Sequence, residues 1–369
     1  VMLLSVSTVL EAREKNISNF SSSASNLVDS TGTFDGNKIY ADVANNGLFL
    51  DYHVSGDSAL EWPKGTGVHS IFQSALWMGA TVNGSIRTIV GDYTQDMGPG
   101  PWGGDPLAAV HRIYKVEKSM LASPLDFADF QEWPVEFGAP WVDVDGDGVY
   151  TPLPGGTDHP EFLGDQVLWF VSNDGDPAYK LNFGTSPMNV EIQTTMFGFD
   201  RPDVFGDMVF LKQLVINKGS DDLVDTYMGL WSDPDLGYAG DDFVGCDVAL
   251  GMGYVWNDGD DSQYSTLDIG TPAAGYDFFQ GPMVPCEDGD SEEVCPTEGA
   301  KMFGTRHPGM KNLKMSSFAF YINGDATYTD PSDETEGYFY LQGLRKDGSA
   351  YPAEILSLIH ISEPTRPNE

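Results

Sequence analysis

Short apolar segments, separated by glycine- and proline-marked turns, recur along most of this chain. Residues 71–80 are almost continuously apolar, as are residues 166–172, and such short runs are typical of buried strands. Residues 189–199 alternate apolar and polar positions, which is the pattern of a strand with one buried face. Asn83 and Gly84 lie between two β-prone runs and predict a tight hairpin of antiparallel strands.

Further strands and one short helix complete the pattern. Strands are predicted at residues 113–120, 208–217, 224–231, 248–256, 315–322 and 338–343. A helix is predicted over residues 125–133, because Phe127, Phe130 and Gln131 are spaced as on one helical face. Asp126 is its predicted cap. We therefore expect an all-β, mainly antiparallel protein with a β-sandwich or jelly-roll core, long acidic Gly/Pro-rich loops and one or two short helices.

The composition limits the classes of partner. Aromatic residues make up 12% of the 369 residues, so the chain is not a disordered acidic polymer. With 19 basic and 56 acidic residues the net charge is −37, which makes nucleic acid and anionic membrane surfaces poor partners. Cations and neutral or basic ligands fit better, and a solvated, salt-adapted surface explains much of the acidity. The sequence contains no run of 18 apolar residues, so it predicts no transmembrane helix.

Both ends differ from the middle in composition. Residues 1–12 resemble the remnant of a signal peptide, with a buried first strand as the alternative, and residues 13–33 read as a Ser/Asn-rich linker. Residues 34–355 are the expected β-rich extracellular region, either one body or two packed lobes with a boundary near residues 160–185. Residues 356–366 resemble a translated sequencing adapter, so residues 356–369 are expected to be an artefact and supply no site candidates.

The three cysteines do not form a disulfide framework. Cys286 and Cys295 flank an acidic loop, which a local disulfide between them would close, and such a bridge suits an oxidising compartment. The alternative is a reduced pair on a surface loop. Cys246 is left over. We therefore expect a secreted or cell-surface protein.

Residues 143–148, Asp-Val-Asp-Gly-Asp-Gly, form the most informative motif. Asp143, Asp145 and Asp147 stand at alternate positions, so their carboxylates can converge on one hard cation when the loop curls. Gly148 permits the curl, and Val149 would offer its backbone carbonyl at position seven. The motif predicts a structural Ca²⁺ site. The alternative is an acidic turn whose aspartates cap backbone amides.

The motif departs from an EF-hand at its end. Position twelve is Pro154, where an EF-hand has a bidentate glutamate. A later carboxylate must therefore complete the ligand shell. Asp158, Glu161 and Asp165 are the candidates, and we expect Asp158 or Asp165.

Two more acidic stretches follow. Aspartates so close in sequence would repel one another in a dry site, and either a cation or a solvated spread of loops would relieve the repulsion. The secondary metal candidates are Asp233, Asp235, Asp241 and Asp242. Residues 257–261 predict a plain solvated loop.

The sequence contains no recognisable catalytic motif. It has no nucleophile elbow, no His-Glu-x-x-His and no phosphate-binding glycine loop, and its histidines lack zinc-ligand spacing. A glycosidase carboxylate pair is defined by its separation in space and not by sequence. Eight tryptophans are present, and those that are exposed would suit stacking on sugar rings.

Several strings together resemble one group of large bacterial proteins. They include Pro-Lys-Gly-Thr-Gly at residues 63–67, Leu-Trp-Met-Gly-Ala at 76–80, the motif at 142–150, Gly-Leu-Trp-Ser-Asp-Pro-Asp-Leu-Gly at 229–237 and Gly-Tyr-Asp-Phe-Phe-Gln-Gly-Pro at 275–282. They are similar to secreted proteins of Bacteroidetes- and Ignavibacteria-like bacteria that end in a type IX secretion sorting domain. The resemblance covers roughly residues 16–348. It implies secretion and carries no activity, and the sorting domain is not among the residues here.

These observations lead to one main hypothesis and two alternatives. We expect a calcium-stabilised, β-rich extracellular module that serves adhesion or glycan binding, with polysaccharide or another cell-surface molecule as its partner. One alternative is a secreted polysaccharide hydrolase with an acidic pair from residues 233–247, and the other is a purely structural surface protein. A cleft with two carboxylates roughly 5–10 Å apart would favour the hydrolase, whereas exposed aromatic side chains would favour binding.

Overall fold

A computed structural model describes residues 31–153, 157–322, 325 and 327–352. The predictions for residues 1–12 and 356–369, and for nearly all of the linker, lie outside the described residues. Within them the protein is an all-β, mainly antiparallel sandwich, which confirms the expected fold class. The strands in chain order are β1 Thr31–Phe34, β2 Tyr40–Ala44, β3 Leu48–Leu50, β4 Leu60–Glu61, β5 His69–Val82, β6 Ser85–Ile89, β7 Gly98–Pro99, β8 Tyr114–Glu117, β9 Trp141–Val142, β10 His159–Pro160, β11 Gln166–Asn173, β12 Val190–Gly198, β13 Phe210–Asn217, β14 Val224–Pro234, β15 Asp242–Asp247, β16 Met252–Asn257, β17 Ala274–Asp277, β18 Met283–Pro285, β19 Ala300–Met302, β20 Thr305–His307 and β21 Met310–Asn312.

The first large sheet, called sheet 1, is organised around β5. Its strand order is β1-β2-β4-β5-β14, and β3 and β6 also pair with β5. The predicted hairpin is confirmed, because β5 and β6 pair antiparallel from Val82 opposite Ser85 across Asn83 and Gly84. Both turn residues have positive φ, 51° and 80°, as a tight two-residue hairpin requires.

The second large sheet, called sheet 2, has the order β13-β12-β11-β7, and β8 pairs with the same strand, β11. All eight residues of β11 are buried. Residues 160–185, where a lobe boundary was one expectation, contain this central strand, and β12 pairs with it along its whole length. The central strand of sheet 2 therefore runs through this stretch, and the division into two lobes stays a prediction.

Both faces of β5 and both faces of β11 are covered by other residues, which explains why the two strands are continuous apolar runs in the sequence. Leu76 and Met78 of β5 face sheet 2 and pack with Ile192, whereas Trp77 between them packs on the opposite side with Trp231. Successive strand residues point to opposite faces, so both faces of β5 are buried. On the far side of sheet 2, Trp169 packs with Phe130 and Trp133 of the segment between β8 and β9, which forms the outer layer of sheet 2.

Within the described residues the helices are few and short. The α-helices are α1 Ala128–Gln131 and α2 Glu334–Leu341, and the 3₁₀ turns are Ala109–His111, Lys118–Ala122, Pro124–Asp126, Val135–Phe137, Pro177–Tyr179, Val204–Asp207 and Tyr264–Leu267. The helix predicted over 125–133 is real but much shorter, and the prediction of Asp126 as its cap is wrong, because Asp126 lies in a preceding 3₁₀ turn. Among the described residues, no helix has the length and apolarity to cross a membrane.

Two strand predictions near the C-terminal end are wrong. Residues 338–343 were expected to be a strand, but they lie in and just after α2, whose start Asp333 caps by accepting the Thr335 and Glu336 amides, both at 2.9 Å. Residues 315–322 form no strand; Phe320 and Tyr321 pack instead with the cluster on the outer face of sheet 1. Burial against a sheet produced apolar, aromatic-rich sequence without strand pairing.

Small antiparallel sheets carry the remaining strands. They are β15-β16-β17, β18-β21, β19-β20 and β9-β10. The structure joins Cys286 to Cys295, with their Cα atoms 5.9 Å apart, just after β18. Cys246 is a free, buried thiol.

Candidate metal centre

The acidic loop is closed at its base by two short antiparallel strands of two residues each. Trp141 and Val142 of β9 pair antiparallel with Pro160 and His159 of β10. Residues 143 and 158 are the first positions beyond these strands, so the register brings Asp158 back to the start of the loop. The structure thus supplies the late carboxylate that the sequence required after Pro154, which itself lies outside the described residues.

The front half of the loop is shaped by hydrogen bonds to Asp143. Its carboxylate accepts the Gly146 amide at 2.7 Å and the Gly148 amide at 2.9 Å. Both glycines are left-handed, with φ of 77° and 75°, and a Cβ at either would meet nothing within 4 Å. Glycine is therefore needed here for backbone conformation and not for space.

The other carboxylates also bind loop amides. Asp145 Oδ1 accepts the Asp147 amide at 3.1 Å, and Asp147 Oδ1 accepts the Val149 amide at 2.7 Å. Among the described residues, the second oxygen of Asp145 and that of Asp147 have no hydrogen bond. These Asx turns are the local geometry expected of both a capped acidic turn and a cation loop.

Asp158 is the buried member of the group. Its side chain is 1% exposed, and its two oxygens accept the Val144 amide at 2.9 Å and the Thr151 amide at 2.8 Å. Ligand atoms of all four carboxylates, from Asp143, Asp145, Asp147 and Asp158, lie within 4.8 Å of one another. This is the only group of three or more His, Cys, Asp or Glu side chains so gathered in the described part of the chain.

Tyr150 fixes the loop to the protein body. Its hydroxyl donates to the Phe130 carbonyl at 2.6 Å, and its ring meets Trp141 edge-on at 5.6 Å between centroids. Burial raises the pKa of Tyr150 well above the ordinary tyrosine value, and the negative charge of Asp158 raises it further. The phenol therefore stays neutral, and the loop base is anchored on the outer layer of sheet 2.

The donor set determines the chemistry that the group supports. It is made of carboxylate oxygens, without sulfur or imidazole, so it suits a hard cation better than zinc or copper. Four carboxylates can offer most of the six to eight oxygens that Ca²⁺ takes. Val149 places its side chain in solvent, 61% exposed, and its carbonyl accepts the Thr151 hydroxyl at 3.3 Å.

Two of the proposed closing residues lie elsewhere. Asp165 accepts the Asp200 amide at 3.0 Å and lies 3.5 Å from the Lys118 ammonium, so it does not join the group. Glu161 lies 3.6 Å from the Lys212 ammonium. After β10 the chain leaves the loop to enter β11, which carries both carboxylates away.

The secondary candidates are not gathered in the same way. Asp233 accepts the Tyr93 hydroxyl at 2.9 Å, and Asp242 accepts the Leu236 amide at 2.9 Å. Burial raises the pKa of Asp242 to about 7, and the charges of Asp235 and Asp241 add to the shift. Asp233 and Asp242 thus serve local hydroxyl and backbone contacts, and the four carboxylates Asp233, Asp235, Asp241 and Asp242 do not converge on one point in the described structure.

Asp261 is a buried aspartate that the sequence does not reveal. Residues 257–261 predict a solvated loop, but Asp261 is 0% exposed. Its carboxylate accepts the Gln263 and Tyr264 amides at 2.8 Å and the Tyr238 amide at 2.9 Å. Aspartate side chains commonly accept amides two or three residues further along the chain, but nothing in the local sequence separates Asp261 from Asp258 and Asp260.

Comparison with protein-family models, with curated proteins and with solved structures gave no match. The resemblance to secreted proteins with a type IX sorting domain therefore stays a prediction.

Proposed function

We propose that this chain is a calcium-stabilised β-sandwich module of an extracellular or cell-surface protein, and that it serves adhesion or glycan binding. The single observation that carries the calcium proposal is the position of Asp158. Hairpin register brings this buried carboxylate to within 4.8 Å of three exposed aspartates of the loop. The ion's role is structural, because the group lies on a loop anchored to the outer layer of sheet 2.

Electrostatics supports a bound cation. Carboxylates held this close repel one another, and the repulsion is strongest for a group out of water such as Asp158. The bound amides offset part of this charge, and the free oxygens of Asp145 and Asp147 remain to bind an ion. Extracellular calcium modules need only modest affinity, with dissociation constants on the order of 10⁻⁴–10⁻³ M.

Other features support an extracellular setting. A disulfide between Cys286 and Cys295 is the kind of bond that persists in oxidising compartments. The net charge of −37 suits a protein that meets divalent cations. Nothing in the described arrangement of residues 233–247 specifically favours the hydrolase alternative.

The calcium proposal is tested by thermal unfolding in CaCl₂ and in EDTA. Ligand at a hundred times its dissociation constant stabilises by about 2.7 kcal/mol, which for a chain of this size is a rise of several degrees in Tm. The double variant Asp145→Asn, Asp147→Asn keeps the amide-accepting oxygens but loses two charges, so its Tm should no longer respond to calcium. Asp347→Asn is the matched control, because Asp347 accepts the Ser349 amide in a similar exposed turn, at 2.9 Å. Equal Tm of the unmodified protein in both solutions would refute the proposal.

A further inference from the structure

A cleft of about 330 Å³ opens beside the loop that follows β7, and Trp102 forms one wall. Trp102 is 43% exposed, whereas the other seven tryptophans are buried or half-buried. Gly175, Asp176, Pro177 and Tyr179 also line the cleft. We call this feature the Trp102 cleft.

The exposed indole is held rigidly. Its Nε1 donates to Asn189 Oδ1 at 3.1 Å, and its backbone amide donates to Glu191 Oε2 at 2.9 Å. Asn173 donates from Nδ2 to the Gly100 carbonyl at 2.9 Å and to the Pro101 carbonyl at 3.3 Å. A large apolar side chain is thus kept in water in one fixed position, which lowers the entropic cost of binding a ligand to it.

Glycine clears the space around the ring. A Cβ at Gly175 would lie 2.6 Å from Trp102 Cδ1, so the backbone there packs directly on the edge of the indole. Gly103 and Gly104, which follow Trp102, also line the cleft without side chains. The partly exposed indole thus lies in a cleft whose lining includes several glycines.

One carboxylate supplies polar recognition. Asp176 is exposed and uses Oδ1 to accept the Ala178 amide at 2.9 Å; its other oxygen has no hydrogen bond among the described residues. A pyranose ring has an apolar C–H face that can stack on an indole and hydroxyls that can donate to a carboxylate. The volume is at the lower end of the range typical of small-ligand sites.

We infer that the Trp102 cleft binds a neutral hexopyranose residue of a polysaccharide, an inference that rests on the proposed glycan-binding function. The net charge of −37 and the carboxylate of Asp176 disfavour acidic sugars. Asp176 is the only carboxylate in the described lining, whereas glycosidases usually require two. The cleft therefore binds sugar and does not cleave it.

The test is affinity electrophoresis of the full chain through gels that contain soluble polysaccharides. Neutral α-glucan, β-glucan, mannan and galactan are compared with acidic polygalacturonate and with gelatin, a proline-rich polypeptide. We expect retardation in at least one neutral gel and a loss of affinity of about tenfold or more in Trp102→Ala. Phe279→Ala is the control, because it removes an aromatic side chain that is 72% exposed but is not part of the cleft; its affinity should match that of the unmodified protein.

A second variant covers the case in which Trp102→Ala does not fold. Asp176→Asn keeps the oxygen that accepts the Ala178 amide and removes the charge, and we expect it to weaken binding by about threefold or more. No retardation in any neutral gel, retardation only in polygalacturonate or gelatin, or affinity unchanged in the folded variants would each overturn the inference.

The gels are run in CaCl₂ and in EDTA, beside the thermal measurements. Sugar binding without a calcium-dependent Tm refutes the structural ion and leaves the cleft assignment standing. A calcium-dependent Tm without sugar binding refutes the cleft assignment and the proposed glycan binding, and leaves the structural ion standing. Sugar binding that is unchanged in both folded cleft variants refutes the cleft assignment alone.

Discussion

Asp92 is a buried carboxylate whose charge is disfavoured in the native structure. Its side chain is 7% exposed, and burial raises its pKa to about 7, although hydrogen bonds from the Asn182 side chain and the Tyr93 amide lower it. The nearby charges of Asp330 and Asp96 raise it further. The native state therefore holds a proton that the unfolded chain releases near pH 4.

This proton makes stability fall as pH rises. The stabilisation from Asp92 is fully present below an unfolded pKa of 3.8 and is lost as pH passes through about 7, because the native state binds more protons in that window. Between pH 5 and pH 8 these two pKa values correspond to a change of about 2.6 kcal/mol in the free energy of unfolding. Asp92→Asn removes this contribution. The stability of the variant relative to the unmodified protein should therefore rise by about 2.6 kcal/mol over the same interval.

Urea denaturation followed by tryptophan fluorescence measures both free energies of unfolding. The protein is first dialysed against EDTA, so that cation binding does not add its own pH dependence. Asp258→Asn is the control, because Asp258 is exposed; its curves should run parallel to those of the unmodified protein. A constant difference between Asp92→Asn and the unmodified protein at pH 5 and pH 8 would refute the reasoning.

Two further predictions concern the core, one a buried ion pair and one a close backbone contact. Lys180→Met should lower the free energy of unfolding by about 3–5 kcal/mol in urea titrations. The reason is that Asp96, which is about as buried and lies 2.8 Å from the Lys180 ammonium, loses its cation. Adding Asp96→Asn should restore much of the loss, and additive losses of the two substitutions would contradict this. Gly79→Ala should cost about 1–3 kcal/mol, since the new carbon would lie 2.7 Å from the Tyr338 ring. Gly270→Ala, which meets nothing within 4 Å, is its control, and equal costs for the two would contradict the packing argument.

The strands of the sandwich could be predicted from the sequence where the hydrophobic pattern and the local turn geometry agree. Asn83-Gly84 predicts its hairpin because both residues tolerate positive φ. The segment at residues 338–343 misled because Tyr338 and Tyr340 favour strands by propensity, while the cap at Asp333 and packing on sheet 1 decide for helix. A segment that packs on the outside of a sheet is rich in aromatic residues although it pairs with no strand. No local pattern distinguishes such a segment from an aromatic strand.

The candidate metal centre was predictable in its front half only. The alternating aspartates from Asp143 lie within one local turn, so the local amino-acid sequence is enough to predict them. Asp158 joins through the pairing of two-residue strands that are separated by sixteen residues in sequence, and nothing in the local sequence separates it from Asp165. The Trp102 cleft was beyond prediction, because exposure of a single tryptophan depends on packing across three separate segments.

The pairing of β5 with β14 has a consequence for how the chain folds. β5 is complete at Val82, but its partner strand begins only at Val224, so the largest sheet contact joins segments far apart in sequence. Such non-local pairing slows folding, because loop closure must precede the gain from contacts. A nascent or truncated chain that ends before residue 224 would present a 14-residue apolar strand with an open edge, which favours aggregation. Any fragment made for study should therefore include both strands.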